Sequence, residues 1–236
     1  MTSSYPASVF YLIMLAAMLL VRIPGIGKIL RTFNTLLHES GHMLMAILLN
    51  GTVHEVRLNS DLSGSASTSS NSRLKSTLIS LNGYPFAALS ILALFALLRN
   101  GYYQAGYIAL ISLALIHLTF FVRNTFGMIW LALFIVLLTV SFTQAPPQVA
   151  EWVLTGLILI ALAEAIISTI QIILLGLTKP RKAGDITNLA RTTRLPAWLW
   201  ALIMLALCAW IIYHIIAGYF PSPSQLLTEF GVNINS

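Results

Sequence analysis

Residues 152–177 read WVLTGLILIALAEAIISTIQIILLGL, and Glu164 is the one ionisable side chain among them. A helix of about 20 mostly apolar residues crosses a bilayer core, and this run exceeds that length. A helix apolar on every face is buried in protein or in lipid. The rest of the chain has the same character. Over 236 residues it is 58% hydrophobic and 8% charged, with mean hydropathy +0.86. Soluble domains are about 45–50% apolar and about 25% charged, so this chain cannot cover a globular surface with polar groups. A disordered chain is excluded, and so is a disulfide-stapled secreted domain, since Cys208 is the single cysteine.

Working outward, the runs 7–23, 29–49, 77–98, 105–122, 126–142 and 197–220 bring the expected count to about seven spans. The first run has no basic residue before it and is followed by Arg22-Ile23-Pro24-Gly25, which is not a signal-peptide pattern. Only Arg123, Asn124 and Thr125 separate the fourth and fifth runs, which predicts a tight helical hairpin. Two polar stretches interrupt the series. Residues 52–72 are rich in Ser, Thr and Asn, and 178–196 hold a basic cluster. Neither is long enough to be a soluble domain. The expected fold is an all-α multipass membrane protein, one integral domain over 1–236, with a small insertion at 52–72.

The net charge is +6. The basic residues lie at the ends of apolar runs, where they set topology and do not mark a nucleic-acid partner. With a cytoplasmic N-terminus, nine of the 13 Lys and Arg residues fall on the inside. The Arg22, Lys28 and Arg31 group opposes that orientation, but the balance favours it. The segment 178–196 is then a cytoplasmic loop, and the lipid bilayer is the first partner.

The second run contains His38-Glu39-Ser40-Gly41-His42, an H-E-x-x-H sequence. Residues four apart share a helix face, about 6 Å apart along the axis. Two imidazoles so placed converge on one zinc ion, and the adjacent carboxylate takes a proton from water whose pKa the metal lowers toward about 7. Three ionisable groups within a membrane run are costly and mark function. His42 is about 12 Å short of Asn50 at the inner end, a depth that cytoplasmic water can reach.

These residues resemble the site-2 protease family of intramembrane zinc metalloproteases. Val53, Glu55 and Arg57 alternate with His54, Val56 and Leu58; Ser60-Asp61-Leu62-Ser63-Gly64 is turn-like; a Ser/Thr strand follows. The resemblance implies a membrane-associated β-hairpin that binds substrate as an added strand, with Ser65 and Ser67 among its substrate contacts. An unpaired strand edge suits that task. Asn82-Gly83-Tyr84-Pro85 is similar to the Gly-Pro segment after the family's hairpin, which implies a substrate contact at Gly83; a simple helix irregularity is the other reading. Val122-Arg123-Asn124-Thr125-Phe126-Gly127 and Gly184-Asp185-Ile186-Thr187-Asn188-Leu189 look like a compact bacterial branch of the family. The resemblance therefore implies a bacterial inner membrane and regulated intramembrane proteolysis. The main family's third-ligand pattern ends in Asp-Gly; here Ile186 follows Asp185.

A catalytic zinc takes three protein ligands and keeps one open position. Asp185 is the expected third ligand because of its family-like setting, with helix N-capping of 186–194 as its other role. Glu164, mid-run, is the alternative ligand. His117 and His214 are read as packing residues. Asn124 is read as a substrate contact or as a helix cap. The tryptophans, Trp130 among them, are read mostly as interfacial anchors. The function expected is zinc-dependent hydrolysis of a peptide bond in a membrane protein, with Glu39 as base. The alternative is a non-proteolytic zinc-binding transporter, scaffold or sensor, in which Glu164 and His117 would line a transport path.

Overall fold

The computed structural model describes residues 6–61 and 63–230; Leu62, in the expected turn, lies outside them. The helices are α1 (Ala7–Leu20), α2 (Ile26–Leu48), α3 (Arg73–Arg99), α4 (Tyr103–Ile116), α5 (Thr125–Gln144), α6 (Pro147–Thr178), α7 (Gly184–Thr193), α8 (Ala197–Tyr219) and α9 (Pro223–Glu229). Strands β1 (Thr52–Leu58) and β2 (Gly64–Ser69) form an antiparallel hairpin between α2 and α3.

Five segments are long and apolar enough to cross a membrane: Arg73–Arg99, Tyr103–Phe121, Thr125–Gln144, Pro147–Thr178 and Ala197–Glu229. The chain is an integral membrane protein. The count falls short of the expected seven for physical reasons. α1 is apolar but has 14 residues. α2 has the length, but Lys28, Arg31, Asn34, His38, Glu39 and His42 lower its hydropathy.

α2 buries polar and apolar residues together, Phe33, Leu36, Leu37, Met43 and Ala46 being the apolar ones. Thr32, Asn34, Glu39, Ser40 and His42 are buried, while Ile26, Ile29, Leu44, Ile47 and Leu48 are exposed. α6 is the pillar of the bundle. Its apolar window is 67% buried, against 28–33% for the other four, so its apolar faces meet protein while theirs meet lipid. It packs against α1, α2, α3 and α8.

α2 and α3 approach closely at Gly41. A Cβ there would stand 2.7 Å from the Phe86 Cβ and 2.8 Å from the Asn82 carbonyl oxygen. The Asn82 side chain crosses the same contact and donates to the Gly41 carbonyl at 2.8 Å. The motif helix and the Asn82-Gly83-Tyr84-Pro85 stretch are thus clamped together.

The fourth and fifth runs form the expected helical hairpin, joined by only three residues. α4 passes into one π-helical turn, His117–Phe121, and residues 122–124 then run extended into α5. That connector docks on the hairpin. Val122 bridges Val56 in parallel. The Asn124 amide accepts from the Leu58 N–H at 3.2 Å and donates to its carbonyl at 2.5 Å. Trp130 is buried and donates to the Ile29 carbonyl at 2.8 Å, so it packs α5 on α2 and is not an interfacial anchor.

Candidate metal centre

α2 presents His38 and His42 one turn apart, and α7 brings Asp185 to them. His38 Nε2 and His42 Nε2 are 3.0 Å apart, and each lies 3.2 Å from Asp185 Oδ2. Three ligand-type atoms therefore face one another. Zinc with bonds of about 2.0–2.1 Å to a tetrahedral donor set separates its donors by about 3.3–3.4 Å. The residues fit that ion in number, type and spacing.

The surroundings aim these donors. His42 Nδ1 sits 2.7 Å from the Ile79 carbonyl, so it carries the proton and leaves Nε2 as a lone-pair donor. Gly83 lies against both rings: a Cβ would come 2.5 Å from His38 Cε1 and 2.6 Å from His42 Nε2. Its bareness seats the imidazoles, a closer task than the substrate contact the resemblance implied. The Tyr84 ring meets His38 edge-on at 4.4 Å between centroids.

Asp185 stands in the first turn of α7 and does not cap it. No side chain caps the helix, and Thr187 Oγ1 instead accepts from the Ala183 N–H at 3.0 Å.

Glu39 lines the same cavity, about 100° round α2 from His38 and under β2. It is 3% exposed, and its Oε2 has no hydrogen-bond partner among the described residues. The Ala66 N–H bonds the same carboxylate. At Gly64 a Cβ would collide with it, so that glycine lets β2 lie directly on Glu39.

The hairpin register sets its edges. Both backbone groups of Leu58 point away from β2, toward Asn124. Leu58 pairs with Gly64 and Val56 with Ala66. In an antiparallel ladder the outward-facing groups then recur at every second residue. Gly64 and Ala66 turn theirs to the free edge of β2, over Glu39. That edge and the three donor residues line one cavity of about 750 Å³.

A family profile described as Peptidase M50B-like matches residues 11–215. The chain belongs to that family. The match takes in the whole donor set and supports the site-2 protease resemblance. No curated protein and no solved structure matches the chain.

The other expected residues of this M50B-like protein are placed as follows. Glu164 pairs with Arg31: its Oε2 is 2.5 Å from Nε and its Oε1 2.9 Å from Nη2. It stands apart from the donor cluster and is engaged without a metal. Asn124 is occupied by Leu58. Ser65 and Ser67 are both exposed on β2, and Ser65 lines the cavity while Ser67 does not. His117 is fully buried between Ser40 Oγ, 3.2 Å from Nε2, and the Leu113 carbonyl, 3.0 Å from Nδ1. It therefore packs the back of the motif helix. His214 lies beside Trp210 and Tyr213.

Sequence reasoning passed over Asn34 and the Arg31–Glu164 pairing, and grouped Tyr84 with the interfacial anchors, whereas it lines the cavity beside His38. The stripe Arg31, Asn34, Thr35, His38, His42 at helical spacing was the available signal.

Proposed function

We propose that this protein is an intramembrane zinc metallopeptidase that hydrolyses a peptide bond of a membrane-embedded or membrane-proximal substrate. One observation carries the reading. His38, His42 and Asp185 converge in the cavity where the Glu39 carboxylate lies under a free strand edge.

His38, His42 and Asp185 would hold the zinc. When bound, zinc polarises the substrate carbonyl and makes water acidic enough to act as a nucleophile near neutral pH. Glu39 takes the proton of that water at Oε2 and later gives it to the leaving amine. The substrate is unwound before attack, since a helical backbone hides its carbonyls. The free edge of β2 holds it extended as an added strand. A substrate carbonyl replaces Glu39 at the Ala66 N–H, and the freed carboxylate turns to the attacking water.

α1 and α2 complete a seven-span topology with the N-terminus and residues 178–196 in the cytoplasm of a bacterial cell. The transport alternative has little to build on, because Glu164 and His117 are engaged by Arg31, Ser40 and Leu113. The deciding experiment compares membrane proteomes of cells carrying wild type or Glu39→Gln. The variant is expected to keep zinc and accumulate an uncut membrane protein. Equal proteomes would reject the peptidase reading.

A further inference from the structure

The cavity does not end at the donor cluster. It continues between α2 and α6, past Asn34 and Thr35 on one side and Ser168 and Gln171 on the other. The Arg31–Glu164 pair closes its far end. From Arg31 to His42 this arm follows α2 for about 16 Å.

Asn34 is the anomaly in it. The residue is 6% exposed and lines the cavity, and its Oδ1 has no hydrogen-bond partner among the described residues. A buried acceptor left unpaired destabilises a fold, so one kept in a cavity wall points to an external donor. Arg31 and Glu164 satisfy each other, and Ser168 Oγ donates to the Ala165 carbonyl at 3.3 Å. Two buried acceptors of the cavity wall thus lack a partner among the described residues, Glu39 Oε2 and Asn34 Oδ1, and the proposed hydrolysis uses only the first.

The donor that reaches such a site is a peptide N–H freed from helical pairing. Asn34 precedes Glu39 by five residues, about 7.5 Å along the helix. An extended chain covers that distance in about two residues. We infer that the α2–α6 arm is a subsite for the unwound substrate chain beyond the scissile bond, and that Asn34 Oδ1 accepts a backbone N–H about two residues from that bond. The inference rests on the peptidase reading above and adds to it a polar groove that runs deeper into the bundle than the hairpin.

The test uses a fluorescent leucine/alanine peptide of about 22 residues interrupted at its centre by Gly-Ser-Gly. Its binding to zinc-loaded Glu39→Gln protein is read by anisotropy in detergent. Asn34→Leu is expected to weaken binding about tenfold, with zinc content unchanged and the thermal midpoint not lowered. Asn34→Asp keeps an acceptor and should bind within about threefold of the Asn34 protein. Methylating the backbone nitrogens one at a time identifies the contact. One position should lower affinity for the Asn34 protein and have no further effect on Asn34→Leu. Unchanged affinity in Asn34→Leu overturns the subsite, as does a lowered midpoint with zinc loss, or a peptide that does not bind at all. Cleavage of the same peptide by protein retaining Glu39 is scored separately. Cleavage indifferent to Asn34→Leu removes the subsite and leaves the peptidase. Asn34-dependent binding without cleavage keeps the subsite and removes the peptidase.

Discussion

The two ends of the α2–α6 cavity treat charge differently. At one end Arg31 and Glu164 form a two-pronged ion pair, 2.5 and 2.9 Å, with the Glu164 side chain 7% exposed. Each charge there is neutralised by the other, so nothing further is required. At the other end His38, His42 and Asp185 turn three donor atoms toward one point. The polar atoms behind them are occupied by Ile79 and Asn82, which fix the frame and leave the front free. Both ends place ionisable groups in a membrane protein's interior, which is costly. One end resolves the cost internally, and the other gathers a donor set that suits an ion.

The largest expected effect tests that distinction directly. Purified wild-type protein should hold close to one zinc per chain, and His38→Ala or His42→Ala should hold none by elemental analysis. Asp185→Asn should weaken zinc binding at least about a hundredfold, since two imidazoles leave the site incomplete. Zinc retained by Asp185→Asn and lost by Glu164→Gln would reverse the roles assigned to the two ends.

The ion-pair end should fail in stability and not in metal content. Removing one partner of a buried pair costs about 3–5 kcal/mol, because the other charge is stranded. Arg31 is 24% exposed, which places the expected loss for Glu164→Gln at the lower limit, about 3 kcal/mol. Zinc should remain. The double change Arg31→Met with Glu164→Met removes both charges and should recover most of the loss in a detergent thermal melt. A double variant as unstable as the single one would mean the pair does more than neutralise itself.

A smaller perturbation enters the metal end without touching a ligand. Gly83→Ala puts a methyl where His38 Cε1 and His42 Nε2 now lie. The rings must shift by several tenths of an ångström. Zinc affinity should fall about tenfold, comparable with loss of an outer-shell contact, while the protein still inserts and folds. Unchanged affinity would show that α3 can yield at this point.

Much of this was legible in the sequence. Long apolar runs announced a membrane protein, H-E-x-x-H announced two imidazoles on one helix face, and alternation at 52–58 announced a strand. What the sequence concealed was contact between distant segments. Asp185 could be a ligand or a cap, and only the approach of α7 to α2 brings its oxygen to 3.2 Å from both imidazoles. Glu164 read as an alternative zinc ligand, because its partner Arg31 lies 133 positions away. The polar stripe of α2 lowered its hydropathy and disguised a helix that buries polar and apolar residues side by side while other apolar residues face outward. Asn124 sat where helix caps sit, and nothing local indicated that a strand end would occupy its amide.

That last residue supports the smallest prediction, which probes the hairpin and neither end of the cavity. Asn124 gives Leu58 both an acceptor and a donor, as a neighbouring strand would. β2 lies on Glu39, so whatever fixes β1 also fixes the free edge above the carboxylate. Asn124→Ala removes both bonds, at about 1 kcal/mol net for each. Asn124→Asp keeps the acceptor for the Leu58 N–H and sets a carboxylate oxygen against the Leu58 carbonyl. Hydrogen exchange at the Leu58 amide should therefore accelerate about tenfold or more in the alanine variant and less in the aspartate variant. Zinc content should stay at the wild-type level in both, since no ligand atom moves. If zinc fell together with Leu58 protection, the hairpin and the metal centre would be one cooperative unit. The Val122–Asn124 connector would then have to be counted among the supports of the His38–His42–Asp185 cluster.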